Sequence, residues 1–96
     1  MPTYDADERF NVDFDRLTPA QQRRFLAAVE KLVVDLRAGA FRKGLRVKRL
    51  QTHPGVWEMT WADDGRATFV YGEPQRPGHA HITWRRVGSH DIFDNP

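Results

Sequence analysis

The 96-residue chain has no cysteine, no long apolar run and little excess of either charge: 15 Lys and Arg stand against 13 Asp and Glu, a formal net charge of +2. The missing cysteine excludes a disulfide-stapled secreted scaffold, a thiolate zinc site and a thiol nucleophile. Apolar stretches run for only a few residues, so no segment is expected to span a membrane. The opening residues, MPTYDADERF, are acidic and polar where a signal peptide would be basic and then apolar. A cytoplasmic location is the expectation. Disorder is excluded by composition, because aromatics make up 11% of the chain, with three Trp, six Phe and two Tyr. The length fits one domain over residues 1–96.

The small net charge is unevenly spread. Residues 1–40 are slightly acidic and residues 41–96 are basic. The densest feature is Arg42, Lys43, Arg46, Lys48 and Arg49, with no anion among them. Such a run suits a polyanion-facing surface, and equally a solvated strand face.

Residues 1–17 carry scattered apolar positions (Tyr4, Phe10, Val12, Phe14, Leu17) and read as a short strand or irregular lead-in with one helical turn. Thr18-Pro19-Ala20-Gln21 then starts a helix: Thr18 caps, Pro19 suits the first helical position, and Gln21 completes a capping box. Phe25, Val29, Leu32, Val33 and Leu36 share one face, and Gly39 is a stop, which sets a helix over 19–38. Beyond it the period becomes two. Leu45 and Val47 alternate with Arg46 and Lys48, and Trp57, Met59 and Trp61 alternate with Val56, Glu58 and Thr60. Asp63-Asp64-Gly65 marks a tight turn into a strand over 67–71, a hairpin. Residues 73–78, with two prolines and a glycine, form a loop, and 79–87 alternate again. The expected fold is α+β: an N-terminal helical segment whose one long amphipathic helix packs on a four-stranded antiparallel sheet.

If Leu45, Val47, Met59 and Ile82 face the helix, the opposite sheet face carries Arg46, Lys48, Glu58, Thr60, His81, Thr83 and Arg85. Such a concentration of cations, imidazoles and one carboxylate suits a phosphodiester substrate. The assignment depends on register, because a slip of one residue inverts it.

The chain resembles the RelE/ParE-type toxins of bacterial type II toxin–antitoxin systems. The residues that carry the resemblance are Gly44-Leu45-Arg46-Val47-Lys48-Arg49-Leu50, Gly55-Val56-Trp57-Glu58-Met59, Asp64-Gly65-Arg66-Ala67-Thr68-Phe69 and Arg86-Val87-Gly88-Ser89-His90-Asp91-Ile92-Phe93. It implies a RelE-like fold and a toxin neutralised by a cognate antitoxin. In the RelE-like branch it further implies ribosome-dependent cleavage of mRNA, an mRNA interferase with ribosome and mRNA as partners. In the ParE-like branch it implies inhibition of DNA gyrase; a member that kept the fold and lost the chemistry is a third alternative.

Metal-free RNA cleavage uses the 2′-hydroxyl as internal nucleophile and needs no cofactor. It requires a base, an acid for the leaving 5′-oxygen and cations for the charge that builds on phosphorus. By the resemblance, His90 matches the catalytic histidine of a C-terminal Gly-x-His; the alternative is that it caps or packs a chain terminus. Arg66 matches the arginine that opens a strand and contacts the scissile phosphate; the alternative is a turn charge paired with Asp63 or Asp64. Phe93 matches a terminal aromatic that stacks on a base, or else latches the core, and it follows His90 by three positions where some relatives use four. Glu58 and Thr60 stand where several members carry Lys, so Glu58 is either a general base or the partner of a neighbouring cation. Arg46, Lys48, Arg49 and Arg85 are expected phosphate contacts. His79-x-His81 with Glu58 raises metal binding as an alternative, without a clear further ligand. Trp57, Trp61 and Trp84 are expected in the core and in strand pairs.

Overall fold

The computed structural model describes residues 3–75 and 78–96. They run as β1 (Thr3–Ala6), α1 (Glu8–Arg16), α2 (Pro19–Ala38), β2 (Lys48–Arg49), β3 (Val56–Ala62), β4 (Gly65–Tyr71) and β5 (His81–Gly88), with 3-10 turns at Lys43–Leu45 and His90–Asp94. Part of the loop expected over 73–78, Arg76 and Pro77, lies outside the described residues, as do Met1 and Pro2.

Helix α2 starts as its sequence dictates. Thr18 Oγ1 accepts from Gln21 N at 3.2 Å and Gln21 Oε1 accepts from Thr18 N at 2.8 Å, the reciprocal capping box, and Gly39 closes the helix in the left-handed region. Phe25, Ala28 and Leu32 are buried on its inner face. The α+β architecture is as expected, with one addition: the sheet has five strands in the order β1-β5-β4-β3-β2, and β1 pairs parallel with β5. The short strand read as one option for the lead-in is therefore a sheet edge. The rest of that segment is a nine-residue helix rather than a single turn. Asp7 Oδ1 caps it by accepting from Phe10 N at 3.0 Å, and Phe10 and Phe14, four residues apart, place their rings on one side.

The core lies between the two helices and one sheet face. Trp84 is its centre, with ring centroids of Phe25 at 5.2 Å, Phe69 at 5.4 Å and Phe10 at 5.9 Å. Trp57 and Trp61 are half-buried against it. Leu45, Met59 and Ile82 are buried and Val47 packs beside them, as the alternation requires.

Two local departures matter for the site. The strand expected through Leu45–Lys48 is instead a 3-10 turn ending at Arg46, and pairing begins only at Lys48. In β5 the register against β4 shifts between Thr68 and Phe69, so Arg85 is the extra residue of a bulge. The bulge resets the alternation: Val87, which strict period two assigns to the outer face with Arg85, is buried in the core.

Beyond Ala6 strand β1 stops, leaving the next stretch of β5 without a strand on the side away from β4. Asp13 of α1 takes its place. Its carboxylate accepts from Val87 N at 3.2 Å and from Arg86 Nε and Nη2 at 2.6 and 3.1 Å. The hydrogen bond that Arg86 donates to Asp13 raises its guanidinium above the usual value. Asp13→Ala leaves the buried Val87 amide and the Nε and Nη2 of Arg86 without acceptor, and is expected to cost about 2–3 kcal/mol. The readout is a lower urea midpoint at unchanged slope; an unchanged midpoint would show that water replaces the carboxylate.

Candidate functional site

The β3–β4 turn is a two-residue connection, Asp63-Asp64, with Ala62 opposite Gly65. Three contacts stiffen it. Arg66 Nη1 donates to the carbonyls of Ala62, Asp63 and Gly65 at 3.2, 3.2 and 2.9 Å, and Trp61 Nε1 donates to Arg66 O at 3.0 Å. Gly65 lies on the Trp61 indole, where a Cβ would stand 2.6 Å from ring carbons. Arg66 therefore reaches backbone carbonyls rather than the Asp63 or Asp64 carboxylates. Asp64 is left projecting at the tip.

From the other side, β5 ends at Gly88, opposite Arg66, and Ser89 caps the final turn by accepting from Asp91 N at 3.2 Å. A Cβ on Gly88 would meet Ile92 Cγ2 at 3.1 Å, so this glycine lets the buried Ile92 seat the turn against the strand. His90 is thereby brought onto the hairpin tip. Its Nδ1 lies 2.6 Å from Asp64 Oδ1, which also accepts from His90 N at 3.4 Å, and its Nε2 stands 3.4 Å from Asp91 Oδ1.

The electrostatics follow the geometry. The hydrogen bond to Asp64 raises the imidazole above its ordinary 6.5; the Asp64 and Asp91 charges add to this and the Arg66 charge opposes it. Asp64 is held below the ordinary carboxylate range, first by the same bond. The pair is thus fully charged between a lowered carboxylate value and a raised imidazole value. With 68% of the His90 and 65% of the Asp64 side chain exposed, this is a positioned acid–base pair in water.

The other expected site residues lie elsewhere. Glu58 is buried, faces Thr68 across β4, and lies 3.8 Å from Lys48 Nζ; in register it is two positions from Thr60, the residue opposite Arg66. Arg49 turns the other way, 5.2 Å above the Trp57 ring. Phe93 is half-buried within the 3-10 turn that His90 opens. Arg46 departs most from expectation. It is not on the outer sheet face but takes the left-handed conformation (φ 48°, ψ 44°) at the end of the 3-10 turn, beside α2. A non-glycine residue held there costs roughly 1–2 kcal/mol, strain of the kind found at functional positions.

The outer sheet face is also not the open platform that its residue types suggest. Glu58, Thr68 and His81 are buried. His81 Nε2 lies 3.0 Å from Asp5 Oδ2 and ties β1 to β5. Asn95 and Pro96 fold back onto this face: Pro96 O accepts from Arg85 Nε at 3.0 Å and from Thr68 Oγ1 at 3.4 Å, while Arg86 Nη1 and Arg9 Nη2 donate to Asn95 O at 2.9 and 2.7 Å. Arg85 is thus engaged by the chain itself. Among the described residues no group of three His, Cys, Asp or Glu is placed to hold a metal ion.

Asp64 is the candidate site residue that the sequence pattern does not single out. It appears there only as a turn residue and as an option for pairing Arg66. Its signal is the Asp-Gly turn, but the partner lies 26 positions away and comes into reach only through the β4–β5 register.

Two helices packed on a mostly antiparallel sheet make the fold of RelE-, YoeB-, YafQ- and ParE-type toxins of toxin–antitoxin systems. The YoeB/ParE toxin from Agrobacterium tumefaciens superposes with a TM-score of 0.66 at 10% identity, over 92% of this chain and 98% of that one. The DinJ–YafQ toxin–antitoxin complex of E. coli gives 0.63 at 12% identity, over 95% and 94%. The RelB–RelE antitoxin–toxin complex of Methanococcus jannaschii gives 0.62 at 14% identity, over 96% and 99%. Neither a protein-family model nor a curated protein sequence matches the chain.

Proposed function

We propose that the chain is the toxin of a type II toxin–antitoxin system and a ribosome-dependent endoribonuclease that cleaves mRNA and so inhibits translation. The observation that carries this reading is the His90–Asp64 pair at 2.6 Å, with Arg66 anchored in the same hairpin. In the reaction the 2′-hydroxyl oxygen bonds to phosphorus, the bond to the 5′-oxygen breaks, and a 2′,3′-cyclic phosphate and a 5′-hydroxyl remain. His90, kept protonated by Asp64, gives its proton to the departing 5′-oxygen. Asp64 is a positioning residue that fixes the tautomer and stabilises the imidazolium. Arg66 offers its remaining N–H groups to the phosphate as charge accumulates. The proton of the 2′-hydroxyl leaves to water, because Glu58 is buried against Lys48 rather than facing His90.

Two of the similar solved structures are toxins bound to antitoxins, and an antitoxin is the partner we propose here. The proposed location is cytoplasmic, where ribosomes and mRNA are. Gyrase inhibition is the competing reading, and it needs no acid–base pair.

The test is a pulse label after controlled induction in bacterial cells, comparing methionine with thymidine incorporation. Methionine incorporation is expected to collapse first, with new mRNA ends that bear 5′-hydroxyls. Thymidine collapsing first, with intact mRNA, would transfer the assignment to gyrase. No effect on either, with folded protein present, would remove the toxin reading.

A further inference from the structure

Between α2, the 3-10 turn at Lys43–Leu45 and the end of β3 runs a cleft of about 600 Å³. It opens at the β3 edge of the sheet, where Arg24 and Lys31 of α2 meet Thr60 and Arg66 of the hairpin. Its volume is within the range that holds a small organic ligand, about 300–1,000 Å³. The cations that line it are Arg24, Lys31, Arg42, Arg46 and Arg66, against one carboxylate, Asp63, and the partly buried Trp61 indole forms part of its wall.

The cleft is built, not incidental. Arg24, Ala27, Ala28 and Lys31 share one helix face, with two alanines leaving the space and the cations about 10.5 Å apart along the axis. Arg42 is fixed by a bidentate bond to Asp35, which lowers that carboxylate and raises the guanidinium, so its charge forms a rigid wall. Arg46 stands there in its left-handed conformation. Arg24, Lys31 and Arg46 have no ion pair with any described residue. The cleft shares Arg24, Trp61, Ala62 and Asp63 with a second hollow of about 250 Å³ that reaches Asp64, Gly88 and Ser89.

We propose that this cleft binds the phosphate backbone of single-stranded RNA and leads it around the hairpin tip to His90. The inference rests on the proposed reading for the purpose of binding, though not for binding itself. An acidic peptide is the competing occupant. The continuity of the cleft with the hollow at Asp64 and Ser89 favours RNA, since a peptide has no need to reach the imidazole.

The probe is a fluorescein-labelled 2′-O-methyl oligoribonucleotide, which lacks the internal nucleophile and stays intact, followed by anisotropy across a salt series. Arg24→Gln with Lys31→Gln, and separately Arg46→Gly, are the test variants; glycine takes the Arg46 backbone without strain. Arg23→Gln with Arg37→Gln, on the same helix outside the cleft, is the charge-matched control. The double cleft variant is expected to bind at least tenfold more weakly, with the log–log salt slope reduced by about 0.7 per cation removed, and the control within twofold of the natural chain. Equal weakening in both doubles, unchanged affinity in the cleft variants, or no binding by the natural chain would overturn the proposal. So would a poly-glutamate peptide whose binding alone depends on the cleft. Cleft-dependent RNA binding by a protein that leaves translation untouched would keep this inference and remove the proposed activity; the reverse outcome would do the opposite.

Discussion

Replacing His90 by glutamine is expected to slow mRNA cleavage on the ribosome by about 10²–10⁴-fold, the contribution of one positioned proton donor. Folding is not expected to change, because the imidazole is exposed and the turn is held by Ile92 and the Ser89 cap. The pH profile gives the sharper reading. A group raised in the folded state is charged up to a higher pH than usual. If the imidazolium is the acid, the rate therefore falls as pH climbs through the raised His90 value. Asp64→Asn removes the first cause of that rise and is expected to move the limb down toward about 6.5. A rate that instead grows with pH through the same limb would make His90 the base. The stability carried by the pair has matching signs: the His90 share is lost as pH rises through its raised value, and the Asp64 share as pH falls through its lowered one.

Trp84→Ala is expected to unfold much of the protein at 37 °C. The indole is almost wholly buried among Phe10, Phe25 and Phe69 and touches both helices and the middle of the sheet. Truncating such a residue costs about 3–5 kcal/mol through lost transfer energy and the cavity left behind, against the roughly 5–15 kcal/mol that holds a typical domain together. Urea unfolding followed by circular dichroism measures it. Trp84→Phe, which leaves a smaller void, is expected to lose less than half as much. A midpoint that hardly moves in the alanine variant would mean that the surrounding rings collapse into the space.

How much of this is readable from the residues varies along the chain. Helix α2 and the β3–β4 hairpin are local: Thr18, Gln21 and Gly39 bound the one, Asp63-Asp64-Gly65 the other, and both lie where the pattern puts them. Helix α1 is obscured because its inward face is only Phe10, Asp13 and Phe14, and a buried aspartate reads as a surface residue. Its role becomes visible only where β1 stops and one side of β5 is left without a strand. Period two correctly places Met59 and Ile82, but nothing in the order of residues announces the bulge at Arg85 that turns Val87 inward. His90 and Arg66 are named by resemblance, and the adjacency of His90 to Asp64 is a product of tertiary register. Arg46 is misplaced for a backbone reason, since alternation assumes an extended residue and this one is left-handed.

The position of β5 has a further consequence, in the order of events during synthesis. This strand lies between β1 and β4, and the Asp5–His81 bond joins residues 76 positions apart. β1 must therefore wait for a strand made 76 positions later, and until then the Trp84 core has no centre. Such non-local closure is slow and comes late. The imidazole on the hairpin tip is made later still, immediately after β5. An unfinished copy therefore holds neither a complete sheet nor the imidazole on which the proposed activity depends.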